Sequence, residues 1–173
     1  MADFEIKDGV AIVSEEITEI DEFAFEDCEE LKSINIPYSV KTIGAWAFCG
    51  CNKLQTISIP STIDIIKSNT FNGCTSLESI CIPKSVKRIE QGAFSGCTSL
   101  KKVVIPKNVV KIEAEAFFEC ENLETIIFEG ETTLHEDCFI SCPRLTTISV
   151  CPNTAELYKE CLGEHWHNYI VEE

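Results

Sequence analysis

The 173-residue chain is 45% hydrophobic, enough for one continuous core in a domain of ordinary size, and its formal net charge is -15. Residues 1 to 30 hold twelve acidic groups against Lys7 alone, a balance opposite to a nucleic-acid footprint. The start, Met-Ala-Asp-Phe-Glu-Ile-Lys-Asp, has neither a basic n-region nor an apolar h-region, and no apolar run reaches spanning length, so as written the chain is expected to lack an export signal and not to insert into a membrane.

The chain repeats itself every 23 residues: Cys28, Cys51, Cys74, Cys97 and Cys120 form one series, Leu31, Leu54, Leu77, Leu100 and Leu123 a second, and Phe25, Phe48, Phe71, Phe94 and Phe117 a third. A fixed period of this size marks a solenoid, in which each unit is too small to bury its own apolar face and stacks on its neighbours. In the unit Cys74–Phe94 the expected core side chains are Leu77, Ile80, Ile82, Val86, Ile89 and Phe94.

Taken in order, residues 1–27 read as a degraded first coil and N-terminal cap. Val13, Ile17, Ile20 and Phe25 keep repeat positions, but Glu5 and Asp8 stand where Cys and Leu belong. Residues 28–119 are four regular coils. In each, Leu-x-x-Ile-x-Ile alternates as a strand does, and the following Pro ends it because it cannot donate to a ladder. A second short extended segment such as Val86-Lys-Arg-Ile89 follows, then a helical or 3₁₀ turn at Ala-Phe, then a Gly-Cys or Glu-Cys corner. Residues 120–141 are a fifth coil with one residue deleted, in which Cys138 takes the small-residue slot of Ala116 and Phe139 continues the Phe series. A sixth strand, Leu145–Val150, closes the repeat region 28–150. Residues 151–173 are expected to form a C-terminal cap: Asn153-Thr154 as N-cap, a helix over Ala155–Leu162, Gly163 as its stop, and Trp166, Tyr169, Ile170 and Val171 as a plug and final strand. The expected fold class is therefore an α/β solenoid with a parallel sheet, short second strands and helical turns, capped at both ends.

Eleven cysteines are an odd number, and six of them (Cys28, Cys51, Cys74, Cys97, Cys120, Cys142) share one repeat position. Equivalent positions on stacked coils make a column with no distinct pairing, so these are expected to be reduced, buried thiols donating weakly to the turn backbone.

The unit Leu-x-x-Ile-x-Ile-Pro-x-Ser-Val-x-x-Ile-x-x-x-Ala-Phe-x-x-Cys, matched nearly throughout by Leu31–Cys51 and Leu77–Cys97, closely resembles the BspA-like (Treponema-type) leucine-rich repeat. The resemblance covers about residues 9–150, and the tail from Pro152 through Trp166 to Glu172 looks like the helix-and-strand end of many members. It implies a right-handed solenoid with a concave parallel sheet, usually on bacterial or protist cell-surface proteins, with roles in adhesion and binding of host proteins.

If Leu31, Ile34 and Ile36 point inward, the middle outward column is Asn35, Ser58, Cys81, Val104, Ile127 and Ser149, polar at its ends and apolar at its centre. With Glu78 and Lys101 beside it, this column is the candidate protein-binding face. Half of the basic residues, Lys84, Lys87, Arg88, Lys101, Lys102, Lys107 and Lys111, make a band that either holds an acidic partner or balances local acid. A further column, Phe23, Trp46, Asn69, Gly92, Glu115 and Asp137, is aromatic only in its first two members, which either packing of the N-terminal cap or a role of Trp46 as an anchor for a partner would explain. Catalytic signals are poor: His135 with Cys138, the group Cys151, Cys161, His165 and His167, and the pair Cys49-Gly-Cys51 match no strong pattern, and no motif implies a metal or other cofactor. The expectation is a non-enzymatic binding module, monomeric, with a self-assembling structural unit as the rival.

Overall fold

A computed structural model describes residues 4–173; residues 1–3, assigned above to the cap, lie outside the described residues. Repetition of one side-chain pattern produces repetition of one coil, and the coils stack through two ladders of short strands. The first ladder, on the concave face, pairs Val10–Ile12 with Ser33–Asn35 and Ser33–Asn35 with Thr56–Ser58, all parallel and one repeat apart. It resumes with Lys102–Ile105, Thr125–Phe128 and Thr147–Val150, also parallel. The second ladder runs through Ile65–Ile66, Arg88–Ile89, Lys111–Ile112 and Thr133–Leu134, with Glu19–Ile20 and Thr42–Ile43 as a separate pair. Inward residues are buried throughout: Leu31, Leu54, Leu77, Leu100 and Leu123 are fully enclosed, as are the Phe side chains between them.

One aromatic ring per coil makes a continuous spine. Ring centroids are 5.2 Å apart between Phe25 and Phe48, 5.5 Å from Phe48 to Phe71, 5.4 Å from Phe71 to Phe94 and from Phe94 to Phe117, and 5.8 Å from Phe117 to Phe139, all stacked. Phe4 covers the N-terminal end, 4.5 Å from Phe25, and Trp166 meets Phe139 edge-on at 6.0 Å at the other. The backbone beside the spine is as regular: the Phe71 N–H donates to the Ala93 carbonyl at 2.9 Å and the Phe94 N–H to the Ala116 carbonyl at 2.8 Å. The turn at Ala-Phe is a set of i to i+3 hydrogen bonds, such as Ser95 N–H to the Gly92 carbonyl and Cys97 N–H to the Phe94 carbonyl. Gly92 and Gly96 take left-handed backbone (φ 64 and 68) at its two ends, so the turn does not propagate into a helix.

The thiol column follows the expected pattern in five of its six members; Cys28, in the first regular coil, is only half-buried. Cys51, Cys74, Cys97, Cys120 and Cys142 are buried, and all eleven cysteines are free. Each of these five donates its S–H to the carbonyl of the preceding coil's Phe: Cys51 to Phe25 at 3.0 Å, Cys74 to Phe48 at 3.2 Å, Cys97 to Phe71 at 3.3 Å, Cys120 to Phe94 at 3.2 Å and Cys142 to Phe117 at 3.0 Å. The thiol is thus a small apolar filler that also satisfies a buried carbonyl.

Both ends differ from a plain coil. Residues Glu5–Lys7 fold back antiparallel on Val10–Ile12 through a left-handed Asp8-Gly9 turn, so the first strand is a hairpin edge with Ile6 against the core. At the other end the helix is Ala155–Cys161, and its first amide is satisfied by Glu172 Oε1 at 3.0 Å rather than by Asn153 or Thr154. Thr154 Oγ1 donates instead to the Cys151 carbonyl at 2.6 Å. Residues Glu164–Tyr169 form a 3₁₀ segment that buries Trp166, and Ile170–Glu172 adds a parallel strand to Thr147–Val150. In the fifth coil Phe128-Glu-Gly-Glu stands where the regular coils have Ile-Pro-x-x, and this departure has a packing cause. Phe128 lies 4.8 Å from the ring of Tyr158, whose hydroxyl donates to the Gly130 carbonyl at 2.8 Å. A Cβ on Gly130 would stand 2.8 Å from Lys107 Cα.

The concave ladder is interrupted once. Residues 79–82, equivalent to Lys102–Ile105, hold only an isolated bridge, Ser58 to Cys81, and form no strand pairing with the coil that follows. Ile57, Ile59, Ile80 and Ile82 are 5–8% exposed, against at most 1% for Val103, Ile105 and Ile126. Fewer ladder hydrogen bonds leave amides open to exchange. Hydrogen exchange should therefore be faster over residues 79–82 than over 102–105 and 125–128, while the flanking Leu77 and Val86 amides stay protected; equal protection across the three strands would show the ladder to be continuous.

Candidate functional site

The outward column of the concave sheet is set by strand alternation, which turns Ile34, Ile57, Val103 and Ile126 inward and leaves the next residue facing out. Ladder register joins Ile12 to Asn35, Asn35 to Ser58, Ser58 to Cys81, Val104 to Ile127, Ile127 to Ser149 and Ser149 to Val171. Asn35, Ser58 and Cys81 are exposed, Val104 is 36% exposed and Ile127 is half-buried. The column is longer than sequence reasoning made it, and its ends are apolar. Ile12 is 58% and Val171 41% exposed, whereas Ser149 is buried at 3% with its hydroxyl on Glu173 Oε2 at 3.1 Å. Ile12 lies 23 residues before Asn35 and was within reach of the repeat arithmetic; Val171 belongs to a tail without the repeat motif and was not.

Where the ladder is interrupted, the face opens into a cleft of about 360 Å³ lined by Ile80, Cys81, Ile82, Pro83, Lys84, Val104, Pro106 and Glu129. Two of the sequence candidates, Cys81 and Val104, meet there; Pro106 and Glu129 were not foreseen. Asn35 and Ser58 extend the face toward the N-terminal end, and Ile127 toward the C-terminal end. Glu78 and Lys101 are exposed one row away, toward the strand entries, and neither lines the cleft. The cleft thus presents an apolar floor with one thiol, one ammonium and one carboxylate at its rim.

The basic band is not one surface. Lys102 lies on the concave ladder, while Arg88 and Lys111 lie on the second, where Arg88 pairs with Glu90 at 2.7 Å and Lys111 with Glu113 at 3.4 Å. These two cations balance local acid.

The residue groups considered for chemistry do not assemble. Cys138 is fully buried in its packing slot, its carbonyl accepting from the Phe117 N–H at 3.0 Å, and burial pushes its thiol well above the ordinary value. His135, three residues away, is exposed and lies 3.7 Å from the half-buried Asp137. Cys51 is pushed up to about 12 by burial, and burial raises Cys49 as well. His167 Nε2 is held at 3.0 Å from the Lys159 carbonyl, and His165 lies against Trp166 with ring centroids 4.1 Å apart. Among the described residues no group of three or more His, Cys, Asp or Glu side chains is placed to hold a metal ion, and no helix is long and apolar enough to cross a membrane.

A parallel-strand solenoid with one Leu, one Phe and one corner residue per coil, and its variable residues turned outward on the concave sheet, is a leucine-rich repeat protein. Residues 10–87 and 64–169 match a family model described as the BspA type leucine rich repeat region, in six copies. The chain belongs to that family. It is similar to the leucine-rich repeat protein of T. pallidum, at 33% identity and a TM-score of 0.71 over 78% of this chain and 65% of that one. It is also similar to a leucine-rich repeat protein from Bacteroides ovatus, at 27% identity and a TM-score of 0.67 over 85% of this chain and 45% of that one. A leucine rich cell surface protein from Faecalibacterium prausnitzii matches at 28% identity and a TM-score of 0.58, over 88% of this chain and 34% of that one. The chain spans less than half of the Bacteroides ovatus protein and 65% of the treponemal one. No curated protein matches it.

Thiol chemistry separates the two classes of cysteine. A neutral aromatic disulfide reagent at pH 8 should modify Cys81 first, because it is exposed, and should reach Cys51, Cys74, Cys97, Cys120, Cys138 and Cys142 only after unfolding in guanidinium, as mapped by peptide mass. Labelling of the buried column at the rate of Cys81 in native protein would contradict the packing described.

Proposed function

We propose that the chain is a non-enzymatic adhesion or interaction module that receives a protein partner on its concave face, on or outside a cell surface. The observation that carries the reading is the apolar cleft at the interrupted rung, where Cys81 and Val104 lie over Ile80, Ile82, Pro83 and Pro106 with Lys84 and Glu129 at the rim. Docking surfaces of this kind join a desolvated apolar centre to a polar rim, and the outward residues Asn35, Ser58, Glu78, Lys101 and Ile127 supply the surround. Repeat proteins of this class commonly mediate binding, and the similar solved structures include the leucine rich cell surface protein of Faecalibacterium prausnitzii, which supports the same placement for this chain. The rival reading, a self-assembling unit, is weakened by end caps that cover the terminal rings and by the uncompensated acid of residues 1–30.

The test is a protein-array binding profile of the wild type against Cys81→Ser, Val104→Asp and Ile127→Asp. Placing a carboxylate in the cleft should weaken a concave-face ligand at least tenfold, about 1.4 kcal/mol. A ligand whose affinity survives all three substitutions does not use this face.

A further inference from the structure

A second surface of the molecule carries two large aromatic rings where the backbone is least suited to them. The residue that opens each Ala-Phe turn is left-handed in five successive coils: Phe23 (φ 60), Trp46 (φ 60), Asn69 (φ 55), Gly92 (φ 64) and Glu115 (φ 59). Glycine and asparagine suit that geometry; a bulky side chain occupies it at a cost in backbone strain. The first two coils nevertheless place Phe and Trp there. Cap packing would justify the cost if the rings reached the core, but neither belongs to the core cluster or to the half-buried side chains packed on it. They stack on each other instead, with centroids 6.3 Å apart and planes 21° apart; Phe23 is 49% exposed and Trp46 is half-buried.

The Phe23 side of the pair carries one sign of charge. Glu19, Asp21, Glu22, Glu26 and Asp27 are all exposed on the same coil, and none lies in an ion pair among the described residues. On the Trp46 side Lys41 is turned onto the Tyr38 carbonyl at 3.0 Å, and Lys67, one coil beyond Trp46, stands next to Ser68, whose carbonyl accepts the Trp46 N–H.

We propose that the Phe23–Trp46 ridge is a docking site for a basic, partly apolar protein segment, distinct from the concave cleft and independent of the function proposed for it. The aromatic faces would take an arginine or lysine side chain by cation–π stacking, strongest on Trp46, together with an adjacent aliphatic group. The acids select the sign of the partner and speed its encounter. The two rings are anchors retained for binding at the expense of local backbone comfort.

The experiment uses a fluorescein-labelled decapeptide of alternating Arg and Leu, measured by anisotropy in low salt, with Glu–Leu and Arg–Gly decapeptides alongside. The Arg–Leu peptide should bind saturably and perturb tryptophan fluorescence in the wild type but not in a Trp46→Asn variant, which keeps Trp166; the Glu–Leu peptide should not bind, and the Arg–Gly peptide should bind at least tenfold more weakly. The double variant Phe23→Asn with Trp46→Asn, which copies the residue native at Asn69, should lose at least tenfold in affinity while its melting temperature stays the same or rises; Val104→Asp should bind the Arg–Leu peptide as the wild type does. Equal binding of Arg–Gly, unchanged affinity in the double variant, or loss of binding in Val104→Asp would each overturn the proposal. So would a clear fall in melting temperature of the double variant, which would make the rings structural. Self-association that disappears in the same variant would assign the ridge to a second copy of this chain and overturn it too.

Discussion

The stacking of one phenylalanine on the next fixes where everything else in the coil can lie. Each buried ring sits 5.2–5.8 Å from its neighbours, its own N–H donates to the small residue one coil on, and its carbonyl accepts a thiol from that next coil. Three kinds of contact thus converge on one residue per repeat, each enclosed from water and each satisfying a partner that burial would otherwise penalise. The small-residue rule follows directly. Ala47, Ala93 and Ala116 occupy a slot whose carbonyl must approach the adjacent Phe N–H, and Cys138 is accepted there because a thiol is little larger. Even the deletion in the fifth coil leaves the spine continuous, with the Phe117 and Phe139 rings 5.8 Å apart and their planes tilted by 27°.

Much of this was legible because a repeat states its constraints several times over. The Leu, Phe and Cys columns, the thiols as backbone donors, and the packing role of Cys138 all follow from 23-residue arithmetic plus the chemistry of a small polarizable side chain. The same arithmetic misled at the N-terminus. Asp8-Gly9 is a strong hairpin turn signal, but aligning Asp8 with the Leu column made it look like a worn repeat position, and the antiparallel Glu5–Lys7 strand was missed. The C-terminal cap shows a different limit. Local rules favoured Asn153-Thr154 as the helix cap, yet Glu172, distant in sequence, occupies the first amide because the last strand brings it there.

The candidate site was legible only as a set of outward positions. Alternation along Ile80-Cys81-Ile82 identifies Cys81 as exposed, and residues 77–82 match their neighbours in pattern, so nothing local announces that this rung leaves the ladder. Ladder bonding depends on how two coils tilt against each other, a tertiary property that no single repeat encodes. The cleft, with Pro106 and Glu129 on its wall, exists because of that interruption. Inward columns are uniform because the spine tolerates little variation, while the outward column from Ile12 through Cys81 to Val171 changes residue type from each coil to the next; the cleft is where the two sets meet, inward Ile80 and Ile82 lining it beside outward Cys81 and Val104.

The claim that the phenylalanine spine sets the register is tested most directly by equilibrium urea unfolding of Phe71→Ala beside the wild type. Phe71 is fully buried between Phe48 and Phe94, and its carbonyl holds the Cys97 thiol. Removing the ring should cost about 3–5 kcal/mol of stability. A loss below about 1 kcal/mol would mean that the strand ladders, and not the stacked rings, hold the coils in register.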